Sequence, residues 1–162
     1  MNHQPCRLRR LGRVWEDCDA YFLTLCTLHR QRVLADPAVN DRMLTFATGS
    51  LERYGTWVDS YVLMPDHLHT IVTSNRSAKP IGFWVKALKA FLAQHSFRWQ
   101  EGFFDHVLRS DESRSEKWEY IRMNPVRAGL VEHPEEWPYA RAFPPFVVGR
   151  VTPPGSSSPP RQ

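Results

Sequence analysis

The chain has 162 residues, 42% of them hydrophobic and 23% charged, a balance typical of a soluble globular domain with a core of its own. No stretch approaches the roughly 20 apolar residues of a membrane span, and no apolar run follows the N-terminal arginines as it would in a secretory signal. The three cysteines form neither a paired framework nor a CxxC motif. We therefore expect a cytoplasmic protein without disulfides.

The net charge of +4 is unevenly distributed. Residues 1–15 hold four arginines and no acid, whereas residues 16–148 hold 15 basic and 17 acidic residues. Within that near-neutral body, residues 76–98 carry five basic residues and no acid. A local basic stretch of this kind predicts a polyanion docked on one face.

The first half of the chain predicts a strand, a helix and a hairpin. Residues 20–28 read as a buried strand. A helix over 37–54 is bracketed by Asp36 as its N-cap and Gly55 as its C-terminal stop. Strands over 56–63 and 67–74 follow, joined by a tight turn at Pro65-Asp66, and should be antiparallel neighbours.

The second half predicts two more helices and one strand. Apolar residues at helical spacing indicate a helix over 79–98, and a short strand follows at 103–108. Ser113 and Glu116 form a capping-box pattern for a third helix, which Pro125 should end. The order of the first six elements predicts an α+β fold of the ferredoxin-like type, a four-stranded antiparallel sheet with helices on one face. The third helix is an addition to it.

The last 19 residues differ from the rest in composition. They contain six of the 13 prolines, together with the run Gly-Ser-Ser-Ser. Such a segment buries too little surface to order itself. We therefore predict a domain over residues 1–143 and a flexible tail over 144–162.

His67 and His69 are the most informative residues of the sequence. They stand at the start of a predicted strand, two residues apart, so both side chains point to the same face while Leu68 points into the core. Two imidazoles held side by side on a sheet are a natural pair of ligands for one divalent metal ion. A His-x-His pair also arises by chance, so the pair alone does not establish a metal site.

Tyr120 and Asn124 provide a second candidate group. Their i, i+4 spacing places them on one face of the third helix. A tyrosine hydroxyl can act as a nucleophile when a metal or a base assists it, and the amide oxygen of Asn124 could be a third metal ligand. An ordinary core tyrosine with its hydroxyl at the surface is the alternative that spacing leaves open.

Two motifs together resemble a known family. Pro65-Asp-His-Leu-His-Thr-Ile-Val72, followed by Tyr120-Ile-Arg-Met-Asn-Pro-Val-Arg-Ala-Gly-Leu-Val131, resembles the REP-associated tyrosine transposases. These belong to the IS200/IS605-like Y1 transposases of the HUH endonuclease superfamily. The likeness extends from about residue 9 to residue 143.

The resemblance implies a ferredoxin-like fold and a single-strand DNA endonuclease and strand transferase of the bacterial cytoplasm. Tyr120 would be the catalytic residue, attacking the scissile phosphate to form a 5′-phosphotyrosine. His67 and His69, completed by Asn124, would bind Mg²⁺ or Mn²⁺. The partner would be single-stranded or hairpin DNA of a REP-like repeat, and the protein would act as a monomer or homodimer without a membrane.

Such a substrate also suits the basic residues. Lysines of the second helix could neutralise backbone phosphates, and arginines beside Tyr120 could hold the scissile phosphate. Surface charge is the alternative for these side chains, and a solvated tail is the alternative for the N-terminal arginines. The candidate DNA contacts are Lys79, Lys86, Lys89, Arg122, Arg127, Arg9 and Arg10.

Two other functions use the same elements. A non-catalytic nucleic-acid-binding module shares the sheet topology but needs aromatic residues on its central strands to stack bases. Here the hairpin strand offers His67, His69 and Ile71 on one face, which counts against that module. A metal hydrolase that uses water, with Tyr120 incidental, is the second alternative.

Overall fold

The computed structural model describes residues 18–75, 78–109 and 111–143, which form an α+β fold around one antiparallel sheet. The strands are ordered β4-β1-β3-β2-β5 across the sheet. Their bounds are β1 Cys18–Cys26, β2 Thr56–Leu63, β3 His67–Asn75, β4 Phe104–Leu108 and β5 Ala140–Ala142. The helices are α1 Pro37–Tyr54, α2 Ile81–Ala93, α3 Asp111–Arg122 and the short α4 Asn124–Arg127.

The order of β4, β1, β3 and β2 is that of the predicted ferredoxin-like sheet. The predicted count of four strands is wrong, because β5 adds a fifth strand beside β2, opposite Ser60–Val62. Backbone hydrogen bonds from Leu63 N to Tyr139 O and from Phe143 N to Asp59 O flank this pairing, each at 2.8 Å. A strand of three residues is too short for alternation in the sequence to reveal it.

Helices α1 and α2 cover one face of the sheet and bury the main core. Leu23, Leu25 and Leu68 of the strands pack there against the apolar sides of both helices. Trp84 of α2 is 1% exposed, and its Nε1 donates to Ser50 Oγ of α1 at 2.7 Å. Burial of a large ring with its polar atom satisfied fixes the two helices against each other.

The predicted ends of α1 are confirmed. The Asp36 carboxylate accepts hydrogen bonds from the backbone N–H groups of Ala38 and Val39, and Pro37 occupies the first helical position. Gly55 ends the helix with φ +70°, in the left-handed region where a side chain is strained.

The opposite face of the sheet is covered by α3, α4 and the segment after them. Its smaller core includes Phe22, Ile71 and Ile121, with Trp118 and Trp137 packed at its margin. Because strand residues alternate, Phe22 and Ile71 lie on the side opposite to Leu23 and Leu68.

Three predicted helix boundaries are corrected. The second helix ends at Ala93 rather than 98, because Gln94 and His95 both have positive φ. The third helix begins at Asp111, so Ser113 lies inside its first turn and is not its cap. It ends at Arg122, and Pro125 does not end it but stands in the first turn of α4, where a missing N–H costs nothing.

None of the helices within the described residues is both long and apolar enough to cross a membrane. The N-terminal arginines and the predicted tail over 144–162 lie outside the described residues.

Candidate metal and tyrosine site

His67 and His69 lie together on the face covered by α3. Their ring centroids are 4.7 Å apart, with the planes at 81°. His69 also stacks on Phe22 of β1 at 5.4 Å, whereas Leu68 is fully buried in the opposite core. The predicted alternation of this strand is therefore confirmed.

Each imidazole has its Nδ1 atom engaged by a neighbour. His67 Nδ1 donates to the Asp66 carboxylate at 2.7 Å, and His69 Nδ1 lies 2.9 Å from Thr24 Oγ1. Asp66 is held in turn by Arg30 Nε at 2.9 Å. With Nδ1 occupied in this way, the Nε2 atom of each ring is the one left to bind a metal ion, the usual arrangement of metal-binding histidines.

The surroundings keep the His69 ring uncharged. Burial, with smaller effects of the nearby positive charges of His67, Lys117, Arg30 and Arg127, lowers the pKa of His69 to about 3. Burial would raise the pKa of Asp66, but its hydrogen bond to His67 and the charges of His67 and Arg30 hold it below the ordinary value. A neutral imidazole beside an ionised carboxylate is the protonation pattern that a divalent ion requires.

The described residues contain no group of three or more His, Cys, Asp or Glu side chains placed to hold a metal ion. Asn124, the predicted third ligand, is not of these residue types. Asn124 is half-buried at the start of α4, and its Oδ1 accepts a hydrogen bond from Arg127 Nη2 at 2.6 Å. That oxygen has a second lone pair, so the hydrogen bond is compatible with ligation. The role of Asn124 stays a prediction.

Tyr120 lies near the end of α3 with 57% of its surface exposed, so it is not a core tyrosine. Two cations lie near its ring. Arg127 Cζ is 4.3 Å from the ring centroid and Lys117 Nζ is 5.4 Å from it. Their positive charge makes the surroundings of the phenol attractive to a phosphate.

The tyrosine and the histidine pair lie on the same face of the sheet. Lys117 Nζ is also 4.7 Å from the Phe22 ring, which stacks on His69. Lys117 thus lies between Tyr120 and the aromatic partner of a histidine. Helix α3 therefore brings Tyr120 to the face of the sheet that carries the histidine pair, and the catalytic role of Tyr120 stays a prediction.

Arg127 connects the parts of the helix that carry the tyrosine. Its Nη2 donates to the backbone oxygen of Tyr120 as well as to Asn124 Oδ1. The spacing predicted that Tyr120 and Asn124 share one continuous helix. This is wrong, because α3 ends at Arg122 and α4 begins at Asn124. The arginine bridges that break and holds the two residues together.

The predicted phosphate contacts in α2 and just before it lie on the other side of the sheet, because α2 packs on the face opposite to the histidines. Lys86 is exposed, and Lys79 lies 4.2 Å from the Phe83 ring centroid. Lys89 instead donates to the backbone oxygens of Gln100 and Gly102, and burial lowers its pKa. Lys89 therefore supports the loop before β4.

Arg122 and the N-terminal arginines complete the predicted set. Arg122 forms ion pairs with Glu119 at 2.7 Å and Glu135 at 3.1 Å, so it joins α3 to the following segment. Arg9 and Arg10 lie outside the described residues. Of all the predicted DNA contacts within the described ranges, Arg127 is the one that contacts the tyrosine.

Sequence reasoning missed the partners that surround the site. The sequence indicates only a turn at Asp66 and indicates no role for Thr24, Phe22 or Lys117. Asp66 could have been found, because a carboxylate next to a metal-binding histidine is a common orienting partner. The others come from different elements, and only the strand register brings Thr24 opposite His69.

Comparison with known proteins gives a consistent result. The family described as "Transposase IS200 like" matches residues 18–124, which include both histidines, Tyr120 and Asn124. A putative REP-associated tyrosine transposase of Haemophilus influenzae is 23% identical over 137 residues, with 74% of this chain and 77% of that protein covered. The REP-associated tyrosine transposase of Escherichia coli is 27% identical over 86 residues, and this chain spans about half of its length (52%), with 51% of this chain covered.

Solved structures agree in fold. A REP-associated tyrosine transposase bound to a REP hairpin superposes with a TM-score of 0.65 at 18% identity, covering 96% of this chain and all of that one. A putative transposase of Deinococcus radiodurans gives a TM-score of 0.50 at 22% identity, covering 70% of this chain and 95% of the other. The sheet order, the placement of the two motifs and the family match over most of the chain lead to one conclusion: this protein belongs to the IS200-like transposase family.

Proposed function

We propose that this transposase is a metal-dependent single-strand DNA endonuclease and strand transferase, and that it acts on hairpin DNA through a 5′-phosphotyrosine. The observation that carries the proposal is the placement of Tyr120. Its exposed ring lies on the same face as the His67–His69 pair, with Lys117 between the ring and Phe22. Hairpin DNA is proposed because a structural relative was solved with a REP hairpin.

The residues fit a divalent ion at the histidine pair. Two Nε2 atoms on neighbouring rings and a neutral His69 supply two nitrogen ligands, and Asn124 would supply an oxygen. This mixed set suits Mn²⁺, and Mg²⁺ with more water in its shell. The bound ion would polarise the scissile phosphate and stabilise charge on the leaving oxygen.

The chemistry assigned to the chain is a transesterification. The Tyr120 oxygen forms a bond to the scissile phosphorus, the bond from phosphorus to the 3′ oxygen breaks, and the phenolic proton leaves while the 3′ oxygen gains one. The number of phosphoester bonds is conserved, so attack by a second 3′-hydroxyl on the phosphotyrosine rejoins strands without an energy source. Arg127 and Lys117 lie where they would hold the phosphate close to the phenol.

The test is covalent capture of a labelled strand. The protein is incubated with single-stranded hairpin DNA taken from the repeats near its own gene, with Mn²⁺ or Mg²⁺, and separated on a denaturing gel. We expect a protein–DNA adduct that Tyr120→Phe reduces on the order of 10³-fold or more, because the nucleophile is removed. The unfolding midpoint should stay the same, since the side chain is largely exposed.

Other outcomes would contradict the proposal. Cleavage that persists in Tyr120→Phe would assign the reaction to water and make the protein a metal hydrolase. Hairpin binding without cleavage in either metal would make it a binding module. Tyr54→Phe is a matched control, since Tyr54 ends α1 on the far side of the sheet.

A further inference from the structure

A cleft opens between the edge strand β4 and helix α3, beside the tyrosine. It has a volume of about 310 Å³. Its lining residues are His106, Leu108, Ser113, Glu116, Lys117 and Tyr120. The volume is at the lower end of the range of small-ligand pockets, so the cleft is large enough for one nucleotide and too small for a duplex.

The lining combines the groups that recognise a nucleobase. Tyr120 and His106 offer exposed rings against which a base can stack. Glu116 is an exposed carboxylate that can accept hydrogen bonds from an exocyclic amino group. Lys117 supplies a positive charge for the phosphate attached to that base.

The strand register makes the cleft continuous with the candidate site. His106 pairs with Phe22 on β1, and Phe22 stacks on His69. Phe104, two residues before His106 and on the same face of β4, is 62% exposed and pairs with Thr24, the partner of His69. An unpaired nucleotide in the cleft would therefore lie next to a phosphate held at the tyrosine.

We propose that this cleft is a subsite for one unpaired nucleobase next to the scissile phosphate. The base stacks against His106 and Tyr120, Lys117 holds its phosphate, and Glu116 selects bases that carry an amino group over thymine. This inference rests on the proposed function for the identity of the substrate. It adds a base preference that the tyrosine and the metal ligands alone would not produce.

The test measures binding apart from chemistry. Fluorescein-labelled hairpin DNA carries A, C, G, T or an abasic residue at either nucleotide flanking the cleavage position, and its affinity for the Tyr120→Phe protein is measured by anisotropy without metal. We expect the abasic residue at one of the two positions to weaken binding about 5- to 100-fold, the range of one stacked base. Thymine there should bind at least about threefold more weakly than the amino-bearing bases.

Two variants assign these effects to the cleft. Glu116→Ala should bring thymine within about twofold of the other bases, and His106→Ala should reduce the abasic penalty. Both residues are exposed, so folding should be unaffected. Glu52→Ala is the matched control, because Glu52 is an exposed residue of α1 on the other face and should leave the preference unchanged.

The outcomes separate this inference from the proposed function. An abasic penalty below twofold at both positions, or one that is equal in the variants and the parent, would overturn the subsite even if the covalent adduct forms. Base-dependent binding that the variants remove would support the subsite, even if the Tyr120→Phe protein still cleaved the hairpin and the proposed nucleophile were wrong.

Discussion

The two faces of the sheet differ in how they are covered. Helices α1 and α2 close one face with a large apolar core, in which Trp84, Leu88 and Leu92 are at most 1% exposed. On the other face α3 and α4 cover a smaller core, and Tyr120, His106 and Phe104 remain exposed beside the histidines. We therefore expect the first face to supply most of the stability. The second face carries half-buried imidazoles and clustered cations, which are costly to bury in an apolar core.

The largest expected effect on stability lies on the closed face. Leu88→Ala should lower the free energy of unfolding by about 2–5 kcal/mol, because it leaves a cavity among α1, α2 and the sheet. Phe104→Ala, a larger truncation on the open face, should change it by about 0.5 kcal/mol or less. Urea denaturation of both variants checks the comparison. Equal losses would show that the two faces share the stability.

A smaller effect is expected at the histidine pair. Asp66→Asn should weaken Mn²⁺ binding about 10- to 100-fold, because the carboxylate that orients His67 and favours its ligation is lost. Isothermal titration calorimetry measures this change. Asp41→Asn removes an exposed carboxylate of α1 and should leave the affinity unchanged. An unchanged affinity in Asp66→Asn would mean that the histidines need no such partner.

The smallest effect appears only at high pH and belongs to the closed face. Burial raises the pKa of Tyr61 to about 12, and its hydroxyl donates to Asn40 Oδ1 at 2.8 Å. The unfolded chain releases this proton near pH 10 while the folded chain keeps it, so stability should fall as pH rises from about 10 to about 12. Tyr61→Phe should show a shallower decline in urea midpoints over that range. Parallel declines would exclude Tyr61 as the source.

Local chemistry made much of this fold predictable. Helix α1 followed from Asp36, Pro37 and Gly55, and β2 has the predicted bounds, 56–63. The face occupied by His67 and His69 followed from a period of two along β3. These features depend on a few neighbouring residues, so the sequence contains all the information they need.

What failed depends on contacts between distant segments. The end of α2 is a local exception, because the apolar pattern continues through His95 but the backbone turns left-handed at Gln94. The sequence predicts that Lys89 contacts phosphate, but its ammonium group donates to backbone oxygens of the loop before β4. The three residues of β5 carry no sequence pattern that predicts a strand. They form one only because they pair with β2, which is distant in the sequence.

The pairing of β5 with β2 fixes the chain at the sheet edge opposite to β4. Just before β5, Trp137 Nε1 donates to Leu63 O of β2 at 3.0 Å. The segment that leaves α4 is therefore attached near one edge of the sheet, whereas the chain enters α3 from β4 at the other edge. A helix tethered at both of its ends cannot slide far across the sheet between them. Loss of the Trp137 side chain, which packs at the margin of the same core as Ile121, should therefore displace Tyr120.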